Sequence, residues 1–226
     1  MSSVLAIGAH PDDIEIGCGG ALLAHRQRGD QIALLVMTNG ERGPQDAKSR
    51  TREQEEAARL LGADLFWAGF DDGAVPDGRD GVDAVQIVTR ATAADIVYTH
   101  GKSDTHQDHR ATAQVSIAAC RRVTRVLHYE SPTTIGFQPM LHIDIAGLVE
   151  AKLELIRSHA SQVLKNGLVD LEAVEAQARF RGFNARKRFT EGFEVSRFVW
   201  DLAPAASFTS EVDEADRLDL SLSETG

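Results

Sequence analysis

Two clusters of metal-binding side chains, His10-Pro11-Asp12-Asp13 and Asp104-Thr105-His106-Gln107-Asp108-His109, carry the chemistry legible in this chain. The first follows the apolar run Val4-Leu5-Ala6-Ile7-Gly8-Ala9, where uncompensated carboxylates would cost several kcal/mol, roughly, and a cation would remove that cost. Together the clusters supply imidazoles and carboxylates enough for a metal site with an open position. Each has a plainer explanation on its own: Asp104 or Thr105 suits a helix cap, and Asp108 suits the positive end of a helix dipole. Capping accounts for the aspartates but leaves His106 and His109 unexplained, and their i, i+3 spacing puts them on one face of a first helical turn.

The elements that must position these clusters alternate. Strands are expected at 4–9, 31–38, 64–68, 95–100 and 126–129. Helices are expected at 20–28, 51–61, 82–92, 107–121, 148–164 and 171–179. Continuous apolar runs separated by amphipathic helices imply an α/β fold, a Rossmann-like three-layer sandwich with a mostly parallel sheet and a C-terminal extension. Ligands of such folds sit outside the carboxyl ends of the strands. Both clusters fall there, as do Thr38-Asn39-Gly40-Glu41 and Phe70-Asp71-Asp72-Gly73, although Asp71 and Asp72 before a glycine also suit a simple turn.

Composition narrows the partners. The 226 residues suit one domain, taken as 1–204, followed by an acidic tail at 205–226 with a possible short helix from Glu211 to Leu218. A net charge of −10 argues against nucleic acid or an anionic membrane as partner. The basic stretch from Arg179 to Arg188 is interrupted by Phe180, Gly182 and Phe183 and reads as a local substrate or structural patch. Cys18 and Cys120 lack CxxC spacing. No stretch reads as a secretory leader or a membrane span, so a cytoplasmic setting is expected. Gly17-Cys18-Gly19-Gly20 fails the dinucleotide pattern because Leu22 occupies its sixth position, and no GxSxG, Walker A or HExxH pattern occurs.

With these residues in place, the chain resembles the LmbE/PIG-L family of zinc-dependent N-acetylglucosaminyl deacetylases. Ala9-His10-Pro11-Asp12-Asp13 and Asp104-x-His106-x-Asp108-His109 carry the resemblance. Arg50-x-x-Glu53, Ser158-His159-x-Ser161-Gln162 and Glu191-Gly192-Phe193 extend it over about residues 3–202. Gln107 stands where many members have Pro and touches no expected ligand.

The resemblance implies that His10, Asp13 and His109 hold Zn²⁺, with Fe²⁺ or another divalent ion as the alternative. It implies that Arg50 contacts an amino-sugar substrate and that the chain forms homo-oligomers. Two histidines, one carboxylate and solvent are also a hydrolytic zinc pattern on chemical grounds. Asp12 is then left as general base, since adjacent side chains point differently. The expected reaction removes an acetyl group from an N-acetylglucosaminyl or related N-acyl amino sugar, releasing acetate and an amine. His106 is expected to stabilise the oxyanion as imidazolium, oriented by Asp108. An amidase acting on a thiol or antibiotic glycoconjugate is the nearest alternative. A non-haem Fe(II) enzyme with two histidines and one carboxylate is a more distant one, because such a centre needs neither Asp12 nor the Asp108–His106 pair. His25, His128 and His142 receive no role, and His159 reads as a surface or packing residue.

Overall fold

The computed structural model describes residues 1–43, 47–163 and 169–201. The acidic tail expected at 205–226, with its short helix, lies outside the described residues. Five strands run in parallel: β1 (Ser3–Gly8), β2 (Gln31–Thr38), β3 (Asp64–Phe70), β4 (Ile96–His100) and β5 (Arg125–Tyr129). Helices α1 (Asp13–Gln27), α2 (Ala47–Leu61), α3 (Arg79–Ala91) and α4 (Gln107–Ala119) connect them. After β5 come β6 (Leu141–Asp144), α5 (Val149–Arg157), α6 (Ala160–Val163), α7 (Leu171–Asn184) and β7 (Thr190–Phe198). The seven-stranded sheet has the order β3-β2-β1-β4-β5-β7-β6, with β7 antiparallel to β5 and β6 antiparallel to β7.

Alternation along each buried strand builds two cores. Val4 and Ala6 of β1 pack with Ile14, Leu22, Ala57, Leu61 and Leu155 under α1, α2 and α5. Leu5 and Ile7 pack with Val85, Val97, Ala111 and Val115 under α3 and α4. Side chains of period two on a sheet covered on both faces give this division. A third core joins Ile16 to Ile145, Leu153, Ile156, Val174 and Phe189, fastening the C-terminal helices over α1.

The strand order decides where a site can form. Strand order reverses between β1 and β4, which are direct neighbours. The loops leaving these two strands diverge at their carboxyl ends and open the crevice in which such folds bind ligands. His10 leaves β1, and the segment 104–109 leaves β4, so the two clusters face each other across this crevice.

Candidate metal centre and active site

Short-range geometry at the β1 exit sets the first cluster. Asp12 is the N-cap of α1 and adopts a left-handed backbone with φ 95° and ψ −27°. An L-residue pays roughly 1–2 kcal/mol for that conformation, which Asp tolerates better than most residues. The Asp13 carboxylate turns back to accept from the His10 amide at 2.7 Å. Gly17, one turn into α1, lies against the ring of Tyr129, where a Cβ would collide. The Tyr129 hydroxyl donates to the Ile7 carbonyl at 2.8 Å, tying the helix entry to β1 and β5.

The two clusters converge on Asp13. His10 Nδ1 lies 3.3 Å from Asp13 Oδ2, and His109 Nε2 lies 3.3 Å from Asp13 Oδ1. The opposite ring nitrogens face other carboxylates. His10 Nε2 is 3.1 Å from Asp72 and 3.2 Å from Asp108, and His109 Nδ1 is 3.2 Å from Asp104. Each imidazole is thus fixed from behind by a carboxylate while its other nitrogen points inward, the arrangement that orients metal-ligating histidines. Asp104 is itself held by Ser131 Oγ at 2.7 Å, Thr134 Oγ1 at 3.0 Å and the His106 amide at 2.8 Å.

The electrostatics of this set favour added positive charge. Burial opposes charging of His10, yet hydrogen bonds to Asp108, Asp13 and Asp72 outweigh it and raise the imidazole to about 12. Burial likewise opposes charging of His109, and Asp13 with Asp104 carries it to about 9. Asp13 is held well below the carboxylate range; burial resists this, and His109, His100 and His10 overcome it. Proton uptake here and cation binding satisfy the same need, so the donor set fits a divalent ion. Three groupings of mutually close ligand atoms occur among the described residues: His10, His106 and His109; Asp13, His100 and His109; and His10, Asp72 and Asp108. Of the expected trio, His10 and His109 each belong to two of these groupings and Asp13 to one.

Asp12 stands beside these residues. Burial and the neighbouring Asp13 push its carboxyl up to about 6, against the pull of Arg50, His159 and His10. A carboxylate in that range is suited to accept a proton near neutral pH.

His106 caps α4, its Nδ1 accepting from the Asp108 amide at 3.2 Å. An accepting nitrogen carries no proton, so the neutral ring bears its proton on Nε2. Burial, His10 and His109 hold His106 below its ordinary value. Asp108 favours the charged form, as expected, but together with Asp13 it does not outweigh these effects. The Asp108 carboxylate accepts from the Gly73 and Val75 amides at 2.6 and 3.2 Å and faces His10. Asp108 reaches His106 through its backbone.

Arg50 lies in the buried part of the site. It is 6% exposed and donates to the carbonyls of Pro11 at 2.7 Å and Gly40 at 3.3 Å, with Asp12 Oδ1 3.6 Å away. Gly40 has φ 67° and no side chain, and the guanidinium passes through the space a Cβ would fill. Arg50 supports the first cluster from beneath.

Several contributors were missed. His100, the last residue of β4, stacks on His109 with centroids 4.0 Å apart and lies 3.2 Å from Asp13 Oδ2. Its position at a carboxyl strand end was the available signal. Asp72 does more than turn a chain, since it faces His10 and accepts from the Arg42 amide at 3.0 Å. His159, read as a surface or packing residue, is the latter, fully buried beside Glu15. Nothing in the local spacing announces that contact.

Known proteins resemble this chain in sequence and fold. The family model described as PIG-L, GlcNAc-PI de-N-acetylase, matches residues 5–120. The uncharacterized deacetylase YaiS of Escherichia coli strain K12 is 36% identical over 167 residues, which cover 70% of this chain and 90% of YaiS. The structure of N,N'-diacetylchitobiose deacetylase from Pyrococcus horikoshii, complexed with its inhibitor, superposes with a TM-score of 0.74 at 26% identity, covering 85% of this chain and 82% of that one. The 4-carboxy-2-hydroxymuconate hydratase of Pseudomonas putida KT2440 superposes with a TM-score of 0.77 at 21% identity over 90% of this chain and 100% of that one, a likeness that bears on the fold alone.

Proposed function

This chain belongs to the PIG-L family, and on that premise we propose that it is a divalent-metal-dependent deacetylase acting on an N-acetylglucosaminyl or related N-acyl amino sugar. The observation that carries the reading is the pair of inward-facing imidazole nitrogens, each 3.3 Å from the Asp13 carboxylate, with the buried Asp12 alongside. In a centre of two histidines and one carboxylate, Zn²⁺ supplies Lewis acidity and makes water a nucleophile near neutral pH.

The protein's own groups then divide the work. His10, Asp13 and His109 would hold the ion, while Asp72, Asp108 and Asp104 fix the two rings. Asp12 accepts the proton released as water attacks the acetyl carbonyl, and returns it to the departing amine. His106 donates its Nε2 proton as a hydrogen bond to the carbonyl oxygen as negative charge develops there. One such donor contributes about 10²–10³-fold in rate. Acetate and the free amino sugar are the products. The hydrogen bond gains strength only as charge develops, so it acts on kcat more than on KM.

The test is acetate release from a panel of N-acetylated substrates: free N-acetylglucosamine, diacetylchitobiose, and thiol, inositol and antibiotic glycosides. Release that stops on exhaustive chelation and returns with added Zn²⁺ supports the reading. Acetate release unaffected by chelation overturns the metal, and no release from any member overturns the substrate class.

A further inference from the structure

Behind Asp12 lies a buried polar chain that the reaction itself does not use. The peptide unit joining Pro11 to Asp12 offers two polar groups, the Pro11 carbonyl and the Asp12 amide. Both are engaged by α2: Arg50 Nη2 donates to the carbonyl at 2.7 Å, and Gln54 Oε1 accepts from the amide at 3.3 Å. Arg50 and Gln54 are four residues apart and share one helix face. Rotation of this peptide plane about the N–Cα bond of Asp12 is its φ, which stands at 95°.

The direction of the Gln54 amide is itself fixed. Gln54 Nε2 donates to Glu15 Oε1 at 2.7 Å, and the Asp12 backbone N–H can only donate, so it takes the oxygen end of the amide. The NH₂ end must therefore face Glu15, which turns Oε1 toward Asp12. Glu15 Oε2 is in turn 3.2 Å from His159 Nε2. Gln54, Glu15 and His159 are all fully buried.

We propose that Gln54 is a positioning residue for Asp12, clamping the Pro11–Asp12 peptide together with Arg50 and held in its own orientation by Glu15 and His159. The proposal rests on the reading of Asp12 as the base. Gln54 touches neither substrate nor ion; it acts by keeping a strained turn from relaxing and carrying the Asp12 carboxylate out of reach of the attacking water. A misplacement of roughly 1 Å costs on the order of 10²-fold.

Three variants test this. Gln54→Ala removes the acceptor; kcat should fall about 10- to 100-fold while KM and bound metal stay within about two-fold of wild type. Gln54→Glu sets two carboxylates against each other and should lose activity similarly. Gln54→Glu combined with Glu15→Gln reverses the hydrogen bond between them yet keeps an acceptor for the Asp12 amide, and should recover kcat to within about five-fold. Crystal structures give a readout apart from activity. Asp12 should keep a positive φ in wild type and in the double variant, and leave it in Gln54→Ala.

Wild-type kcat in Gln54→Ala overturns the proposal, and so does a positive Asp12 φ that persists there. If Gln54→Ala does not fold, the swap decides, and a double variant no more active than Gln54→Glu overturns it. A wild-type protein that deacetylates nothing defeats the functional reading instead, and the Asp12 backbone in the crystal structures then decides this one alone.

Discussion

Helix α1 meets buried charge twice, at its entry and at its middle, and the two places are built oppositely. At the middle, Cys18 leaves helical geometry with φ −143°, breaking the helix between Ile16 and Gly20. A buried ion pair is inserted there. Lys152 Nζ donates to the Ile16 carbonyl at 2.7 Å and to Glu191 at 2.5 Å, while Glu191 accepts from the Gly20 and Ala21 amides at 2.8 and 2.7 Å. One cation meets one anion, and between them they take up the Ile16 carbonyl and the Gly20 and Ala21 amides beside the break.

At the entry, Asp12, Asp13, Asp72, Asp104 and Asp108 are buried together with imidazoles, and among the described residues Arg50, 3.6 Å from Asp12, is the one buried permanent cation there. The difference separates structure from function. A buried pair that closes on itself shapes the backbone, whereas a buried set with surplus anions is complete only with something added.

The largest expected effect breaks the entry without touching the middle. Asp12→Asn should lower kcat about 10²–10⁴-fold with bound metal and urea midpoint unchanged. Metal lost together with activity, read by elemental analysis, would make Asp12 a ligand. Next is the middle. Lys152→Met leaves Glu191 buried and uncompensated and should cost about 3–5 kcal/mol in equilibrium unfolding. Metal stoichiometry should stay at the wild-type value under native conditions; a loss of metal out of proportion to stability would join the two regions into one.

His106→Ala should follow, with kcat down about 10²–10³-fold, KM little changed and metal retained. Near-normal kcat would remove His106 from the reaction.

The smallest effect concerns pH and metal removal. In metal-free protein the raised His109 contributes stability fully below its unfolded value of about 6.5, and that contribution is lost as pH rises through about 9. Urea midpoints of the metal-free protein should therefore decline from pH 7 to 10. Those of the loaded protein, whose ligating imidazoles are already unprotonated, should decline less. Parallel curves would contradict the surplus-anion account of the entry.

Much of the fold was legible because parallel strands buried on both faces are written as continuous apolar runs. Gln31–Thr38 was read with its observed bounds, and each of the other four parallel strands within two residues at each end. The first seven residues of α1, 13–19, were not read, since Gly17, Cys18 and Gly19 have little helical propensity and this stretch packs on Tyr129 and Lys152 from distant segments. The expected helix 148–164 is interrupted at Ser158 and His159, where the chain turns to bring His159 to Glu15. Strands β6 and β7 were missed altogether. β7 mixes Glu191, Glu194 and Arg197 with apolar residues, and its antiparallel place beside β5 depends on pairing across more than fifty residues of chain.

What the sequence by itself determined was the identity of the metal-type residues and the edge of the sheet on which they lie, because strand ends follow from local hydrophobic periodicity. Only the tertiary structure decided which atom meets which. It put the Asp108 carboxylate on His10 rather than His106, Arg50 beneath the Pro11–Asp12 peptide, Asp72 on His10 and His100 on Asp13. These pairings depend on the approach of segments far apart in the chain at hydrogen-bond range, and a one-dimensional pattern carries side-chain periodicity but no such distances.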